Sequence, residues 1–195
     1  MTIIYSERLL IRDYLESDFE NFYNLTQDKE VVCWMPDAYP ESKDETLELF
    51  FDALMESKKE KRKKFYYAIT DQSTGAYIGE VGFRVIHHTE EGAVVNIGYF
   101  IDQRYWGQGV ATEAVKAVVA YGFDKFDILK FELSCSAQNI GSIKVAEKNN
   151  FVKEASKVKS LLLNGTLHDQ YDFRLLKEEF MVLKYETEIG LNLRV

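Results

Sequence analysis

The chain has 195 residues, of which 46% are hydrophobic and 14% aromatic, enough apolar material for one core of ordinary size. It carries 24 Lys and Arg against 32 Asp and Glu, a formal net charge of -8. This balance disfavours non-specific attraction to nucleic acid or to an anionic membrane surface. We therefore expect a single domain over residues 1–195 with neither partner, and an acidic surface that serves solubility and also suits an amine-bearing substrate.

The number of cysteines and the lack of long apolar segments indicate the cellular compartment. Cys33 and Cys135 are the only cysteines, too few and too far apart for a disulfide framework or a zinc site of the usual spacing. The amino terminus lacks a secretory signal pattern, and no apolar stretch approaches the roughly 20 residues that span a bilayer. We expect a cytoplasmic protein with no bound metal.

The first third of the chain predicts a strand followed by two helices. Residues 8–12 read as a strand, and residues 15–26 carry apolar side chains at near-helical spacing. Residues 31–40 contain both prolines and predict an irregular apolar loop. A capping-box pattern of Ser42 and Glu45 then opens a second helix that reaches about Lys58.

The central third predicts three strands and one amphipathic helix. Residues 65–70 and 76–86 read as a hairpin joined by a turn-rich segment. Residues 94–101 form an apolar run short enough to be a buried strand. From Ala111 to about Lys125 the apolar residues recur at the spacing of one helical face.

The last third predicts a strand at residues 130–135, a short helix at residues 141–149, and two more strands at Phe151 and at residues 171–176. Residues 177–195 are left as a carboxy-terminal extension. Strands and helices alternate in the centre, and hairpins flank them. We therefore predict an α/β fold of mixed α+β character, with a mixed central sheet and helices on both faces.

The segment of residues 104–112 lies between the buried strand and the amphipathic helix. A turn of this kind exposes consecutive backbone N–H groups beside the positive end of a helix dipole, which suits a pyrophosphate. Glycine lets a phosphate approach the backbone closely. No Gly-Lys-Ser/Thr follows, and no third glycine completes a dinucleotide fingerprint. A tight strand-to-helix turn without a ligand is the alternative.

The pattern Arg104-x-x-Gly107-x-Gly109 resembles the pyrophosphate motif of the GNAT acetyltransferase superfamily. The resemblance runs from about residue 6 to about residue 176. Further segments are similar to the branch that includes the ribosomal-protein N-acetyltransferases, which act on N-terminal amines. They are residues 6–12, Ile97-Gly98-Tyr99, residues 109–114 and Asn139-x-x-Ser142.

This resemblance implies a single-domain fold in which two central parallel strands splay apart and acetyl-CoA enters the wedge. The backbone of Tyr99, Phe100 and Ile101 would then pair with the pantetheine arm, and Asn139 would hydrogen-bond the cofactor. Ser142 would lie near the thioester sulfur as the general acid that protonates the leaving thiolate. The residues that would hold the pyrophosphate are Arg104, Trp106, Gly107, Gln108, Gly109, Val110, Ala111 and Thr112.

Two positions depart from the family pattern. Ala146 stands four residues after Ser142, where many members carry a tyrosine acid, and Asn96 stands where many carry a glutamate before Ile-Gly-Tyr. Glu80, on a predicted central strand, is our first choice of catalytic base, although a buried carboxylate satisfied by a neighbour fits equally. The remaining base candidates, each with a surface or helix-capping alternative, are Glu113, His87, His88 and His168.

The missing base favours a particular acceptor. An α-amine with a pKa near 7.7–8.0 is partly neutral at pH 7, whereas a lysine amine near 10.4 is almost fully protonated. We therefore expect direct acetyl transfer to a protein or peptide α-amine, with Cys135 in the core. The alternatives are a polyamine, antibiotic or amino-acid acetyltransferase, and a CoA-binding sensor without turnover. Either a monomer or a homodimer is compatible. Aromatic side chains that could wall the acceptor site are Trp34, Tyr39, Tyr105 and Trp106.

Overall fold

The computed structural model describes residues 1–35 and 38–188. One sheet of eight strands has the order β1-β2-β3-β4-β5-β6-β8-β7. The strands are β1 Ile3–Tyr5, β2 Leu9–Asp13, β3 Lys64–Asp71, β4 Tyr77–His88, β5 Ala93–Ile101, β6 Ile128–Ser136, β7 Val152–Leu163 and β8 Thr166–Leu176. The helices are α1 Phe19–Gln27, α2 Lys29–Val32, α3 Lys43–Glu56, α4 Val110–Lys125, α5 Ile140–Lys148 and α6 Lys177–Glu188.

The predicted splay between two parallel strands lies at the centre of this sheet. Strands β5 and β6 are parallel, and their pairing ends at the rung that joins Asn96 to Glu132. Both strands continue past this rung, β5 to Ile101 and β6 to Ser136. The backbone groups of β5 that face β6 therefore have no strand partner beyond Asn96, and a wedge opens between the two strands.

Helices cover both faces of the sheet, as predicted. On one face, α4 packs its valines against the inner strands, and α6 adds Phe180, whose ring centroid lies 5.0 Å from that of Phe123. On the other face, α1 and α3 close a smaller aromatic core. Its buried members are Tyr14, Phe22, Phe50, Leu54 and Ala68. The wedge lies between these two cores.

Local hydrogen bonds explain where two helices begin. Ser42 Oγ accepts from the backbone N–H of Glu45 at 3.5 Å, so the predicted cap opens α3. Helix α1 begins at Phe19, later than predicted, because the Asp18 carboxylate accepts from Leu15 N at 2.7 Å and from the Arg12 guanidinium at 2.6 Å. These bonds hold a single 3₁₀ turn ahead of the helix.

Three elements differ from the sequence prediction. The strand β1 and the helix α6 were not predicted, and the helix α2 begins ahead of the predicted loop of residues 31–40 and overlaps its start. The part of that loop at residues 36 and 37 lies outside the described residues. Elements of three or four residues have too few positions to show a hydrophobic period, which is why the sequence does not predict β1 and α2.

Strands β7 and β8 are much longer than the two strands predicted at Phe151 and residues 171–176, and they form a hairpin. Nearly all residues of β7 are exposed, so the strand lacks the alternation that one buried face would impose. The hairpin turn at Asn164 and Gly165 was not predicted. Their φ values of 49° and 75° are the conformation that an Asn-Gly hairpin turn requires.

Among residues 1–35 and 38–188, every helix is too short or too polar to cross a bilayer. In the same ranges, no three His, Cys, Asp or Glu side chains converge in a way that could hold a metal ion.

Candidate active site

Local hydrogen bonds fix the conformation of the loop between β5 and α4. Asp102 Oδ1 accepts from Arg104 N at 2.9 Å, and Trp106 Nε1 donates to the carbonyl of Ile101 at 2.7 Å. Gly107 and Gly109 follow with φ of 72° and 79°, a left-handed conformation that costs glycine little. A Cβ at Gly107 would meet nothing within 4 Å, so the space above this backbone is free for a ligand.

The start of α4 presents unpaired N–H groups to this space. Gly109 is the N-cap of the helix and supplies no side-chain cap. The amides of residues 110–112 have no preceding helical turn to bond, and no other acceptor for them is found among the described residues. With the dipole of a 16-residue helix behind them, these amides fit an anionic group such as a pyrophosphate.

A cavity of about 1140 Å³ occupies the wedge and continues onto this loop. Tyr99 and Phe100 both line it, and because consecutive residues of a strand point to opposite faces, the cavity reaches both sides of the sheet. The predicted cofactor residues that line it are Tyr99, Phe100, Ile101, Trp106, Gly107, Gly109, Val110, Ala111, Thr112, Asn139 and Ser142.

Two predicted cofactor residues lie in the loop but outside this lining. The Arg104 side chain is exposed and pairs with Asp102, with Nη2 and Oδ2 at 2.6 Å, and this bond lowers the pKa of Asp102. Gln108 Nε2 donates to the carbonyl of Arg104 at 2.8 Å. Both side chains brace the loop in this structure, and their contact with a cofactor stays a prediction.

The predicted acid has a hydroxyl partner that the sequence did not reveal. Asn139 Oδ1 caps α5 by accepting from Ser142 N at 3.0 Å, and Tyr99 Oη donates to Ser142 Oγ at 3.1 Å. Burial raises the pKa of Tyr99, so its phenol remains protonated and donating. Ser142 thus accepts from Tyr99 and keeps its own hydroxyl proton, and both residues line the cavity.

Cys135 is buried, as predicted for a core residue, and also lines the cavity. Burial raises the pKa of its thiol, an effect that the neighbouring Ser142 hydroxyl only partly offsets. A protonated thiol is a poor nucleophile. Its surroundings therefore do not activate it for an acyl-enzyme route.

The apex of the wedge carries an amide where many family members have a carboxylate. Asn96 Nδ2 donates to the backbone carbonyl of Glu132 at 3.3 Å, across the last paired rung of β5 and β6. The Glu132 carboxylate also lines the cavity, and it is paired with Lys130 at 2.8 Å. The apex therefore offers no carboxylate free of a cationic partner on these two strands.

Glu80, the predicted base, lies beneath the cavity rather than in its lining. It is only 9% exposed, and its two carboxylate oxygens accept hydrogen bonds from Tyr14 and Tyr39. Burial raises the pKa of Glu80, while the two phenols act in the opposite direction. The Tyr39 ring contacts Phe100 with centroids 5.2 Å apart, so Glu80 reaches the cavity wall through Tyr39.

The other base candidates lie outside the cavity lining. Glu113, in the first turn of α4, accepts from Ser6 and Arg8. His87 and His88 are exposed at the end of β4, and His168 is half-buried on β8. Of the four aromatic side chains predicted as possible walls of the acceptor site, three line the cavity: Trp34, Tyr105 and Trp106. Tyr39 is outside the lining and packs behind Phe100.

Comparison with known proteins identifies the class. The chain matches a family model described as an acetyltransferase (GNAT) domain over residues 8–152. It therefore belongs to the GNAT acetyltransferase family, as the motif resemblance predicted, and it is an acetyl-CoA-dependent N-acetyltransferase. The uncharacterized N-acetyltransferase p20 of Bacillus licheniformis is 28% identical over 183 residues, which cover 92% of this chain and 99% of that protein.

Two solved structures share the fold at lower identity. One is RimL, a ribosomal L7/L12 alpha-N-protein acetyltransferase in complex with coenzyme A, with a TM-score of 0.76, 22% identity, and coverage of 91% of this chain and 99% of that chain. The other is a spermidine N-acetyltransferase from Vibrio cholerae in complex with CoA and spermine, with a TM-score of 0.77, 20% identity, and coverage of 89% and 98%. Their acceptors differ, so the shared fold does not select one.

Proposed function

We propose that this enzyme acetylates the α-amine of a protein or peptide by direct attack on the thioester of acetyl-CoA. The observation that carries the proposal is the amide of Asn96 at the wedge apex, bonded to a backbone carbonyl instead of acting as a base. An α-amine has a pKa of about 7.7–8.0 and needs little help to lose its proton, whereas a lysine amine near 10.4 does.

Ser142 is proposed as the general acid. The amine nitrogen bonds to the carbonyl carbon as the carbon–sulfur bond breaks, and Ser142 donates its hydroxyl proton to the departing sulfur. Tyr99, which donates to Ser142 Oγ at 3.1 Å, stabilises the negative charge that develops on that oxygen and can return a proton to it. The backbone groups of residues 97–101 of β5, which have no partner on β6, would pair with the pantetheine arm, and Asn139, which lines the cavity, would hydrogen-bond the cofactor.

Glu80 is proposed to act on the acceptor through Tyr39. Because its oxygens are already bonded by two phenols, it does not contact the amine. It fixes the Tyr39 hydroxyl and, through the ring contact with Phe100, the wall against which the acceptor lies. Proton loss from an α-amine then proceeds through water at the cavity mouth.

The polyamine alternative is less well supported by the charges of the cavity. Its acidic lining residues are Glu30 and Glu132, and Lys130 neutralises the second. A polycation with several amines would require more unpaired carboxylates than these two residues supply. A cytoplasmic setting, proposed on two free cysteines, and a monomer or homodimer complete the proposal.

The test is a free-thiol release assay with acetyl-CoA over peptides with free or blocked amino termini, spermidine, and lysine side chains in a blocked peptide. Turnover confined to free α-amines is expected. Faster turnover of spermidine or of the internal lysine would overturn the acceptor assignment, and CoA binding without turnover would favour the sensor alternative. Ser142→Ala should reduce kcat about 100-fold or more with little change in CoA affinity, whereas Ser160→Ala, at an exposed serine of β7, should change neither.

A further inference from the structure

The segment that precedes β2 crosses the start of α4 and bonds to it at several atoms. Glu113 Oε1 accepts from Arg8 N at 2.7 Å and from Ser6 Oγ at 2.8 Å. Glu113 Oε2 accepts from Arg8 Nε at 2.7 Å and lies 2.7 Å from Arg8 Nη2. These bonds lower the pKa of Glu113 against the opposing effect of its burial, so the carboxylate is ionised and fully engaged.

The same guanidinium also reaches into the phosphate-binding loop. Arg8 Nη1 donates to the backbone carbonyl of Gln108 at 3.0 Å. Arg8 therefore joins the first turn of α4, through Glu113, to the peptide bond that links Gln108 to Gly109. A planar guanidinium with donors in a fixed fork is suited to holding two such acceptors at once.

Holding that carbonyl fixes the direction of a neighbouring donor. In a trans peptide the C=O and the N–H point in opposite directions, so a Gln108 carbonyl bonded to Arg8 turns the Gly109 N–H away from Arg8. Gly109 has a φ of 79°, and a peptide next to glycine can flip at little cost because glycine tolerates both signs of φ. A flipped peptide would present a carbonyl oxygen to an anion instead of an N–H group.

We propose that Arg8 is a positioning residue for acetyl-CoA: it locks the peptide that joins Gln108 and Gly109 so that the Gly109 N–H faces the pyrophosphate. Glu113, with Ser6, holds Arg8 in place for this task. The inference depends on the assignment of this loop to the pyrophosphate, which is part of the proposed function, but it does not depend on the acceptor. It also explains why Glu113 is engaged at both oxygens instead of being free as a base.

The experiment compares two ligands that differ in the pyrophosphate. CoA affinity is measured by calorimetry, and KM is measured for acetyl-CoA and for S-acetylpantetheine, which lacks the pyrophosphate. Arg8→Ala should weaken CoA binding about tenfold or more, the worth of one charge-assisted hydrogen bond, and raise the KM of acetyl-CoA with kcat at saturation retained. The KM of S-acetylpantetheine should change less than about twofold, since that ligand never touches the loop.

Two further variants serve as controls, one for the loss of an exposed ion pair and one for the charge of Arg8. Lys43→Ala breaks an exposed ion pair with Glu20 at 2.9 Å, far from the loop, and should leave both ligands unaffected. Arg8→Lys keeps the charge but lacks the fork, so CoA binding should stay about fivefold or more below wild type.

Three results would overturn the inference. Equal loss for CoA and S-acetylpantetheine in Arg8→Ala would indicate general damage to the fold. Unchanged CoA affinity in Arg8→Ala would show that the loop keeps its conformation without Arg8. Wild-type CoA affinity in Arg8→Lys would show that a positive charge at this position is sufficient and that the guanidinium fork is not needed. Absence of CoA binding in the wild type would refute both the cofactor site and the proposed function. Turnover of an unexpected acceptor would refute only the acceptor assignment and would not affect the result for Arg8.

Discussion

The conformation of Gly107 allows a direct test of the proposal that the loop between β5 and α4 holds the pyrophosphate. Gly107 and Gly75 have almost the same φ, 72° and 73°, and a Cβ would meet nothing within 4 Å at either position. Gly107 belongs to the loop that lines the cavity, whereas Gly75 belongs to the turn between β3 and β4. Alanine at these two glycines therefore imposes the same backbone strain in two different places.

The expected cost in stability is the same for both variants. An alanine in the left-handed region costs about 1–2 kcal/mol, and reduced freedom in the unfolded chain returns about 0.4–1 kcal/mol. Each variant should therefore lose about 1 kcal/mol, a decrease in Tm of about 2–4 °C for a chain of this size. Only Gly107→Ala adds a methyl group where the proposed site would hold the pyrophosphate. Loss of one amide contact to a charged group, about 1.5–3 kcal/mol, corresponds to CoA affinity at least about tenfold weaker.

The assay pairs thermal unfolding of the ligand-free variants with calorimetric titration of CoA. Equal decreases in Tm with a selective loss of CoA affinity in Gly107→Ala is the expected result. Wild-type affinity in Gly107→Ala would refute the assignment of this loop to the pyrophosphate. Equal loss of affinity in Gly75→Ala would show that strain anywhere in the fold suffices, which would refute the reasoning in a different way.

Three further predictions concern Glu80, Glu56 and Gly122. Glu80→Gln replaces one of the two carboxylate oxygens that accept from the phenols of Tyr14 and Tyr39 with an N–H donor and should lower the free energy of unfolding by about 1–3 kcal/mol. Steady-state kinetics should show a higher acceptor KM with an unchanged acetyl-CoA KM, which Tyr39→Phe should reproduce. The Lys59 ammonium and two backbone amides lower the pKa of Glu56 from 4.5 to about 2. The stability that the ionised Glu56 carboxylate contributes to the fold is therefore fully present above pH 4.5 and is lost as the pH falls towards 2. Urea unfolding of wild type and Glu56→Gln should therefore differ by about 1–2 kcal/mol at pH 7 and by less at pH 3; a constant difference would contradict this. Gly122→Ala would place a Cβ 2.6 Å from Cζ of the buried Phe131 ring, and the crowding should lower stability by about 1–3 kcal/mol, so an unchanged Tm would disprove this packing.

Most of the fold could be predicted because its larger elements bury one face. In α4, Ala114, Val115, Val118 and Val119 lie on one helical face and are almost fully buried, so the helical period is plain in the sequence. Strand β7 has no such signal, since it lies at the sheet edge with nearly every residue exposed. Helix α6 contributes Phe180 to the core, but one anchoring residue does not make a period.

The candidate site could be predicted where its residues are neighbours in the chain. The loop with Gly107 and Gly109 is local, and its conformation follows from its glycines. The contacts of Tyr99 with Ser142, of Glu80 with Tyr14, and of Arg8 with Glu113 join residues 43, 66 and 105 positions apart. No local pattern encodes such pairs, which is why the sequence leaves Glu80 open between a catalytic base and a buried carboxylate satisfied by neighbours, here the phenols of Tyr14 and Tyr39.

In the proposed reaction, the alternation of side chains along β5 lets one short strand serve both substrates. Tyr99 pairs with Val81 and lies on the α4 face, whereas Phe100 pairs with Glu80 and lies on the α1 face. Consecutive side chains therefore reach Ser142, the proposed acid, on one face and the Tyr39 wall on the other. In the proposed reaction the departing sulfur would then lie towards the α4 face and the amine towards the α1 face, with the thioester carbonyl in the wedge between them. A one-residue slip of β5 would exchange these two positions, which is why the register at the last paired rung, Asn96 with Glu132, matters to the proposed reaction.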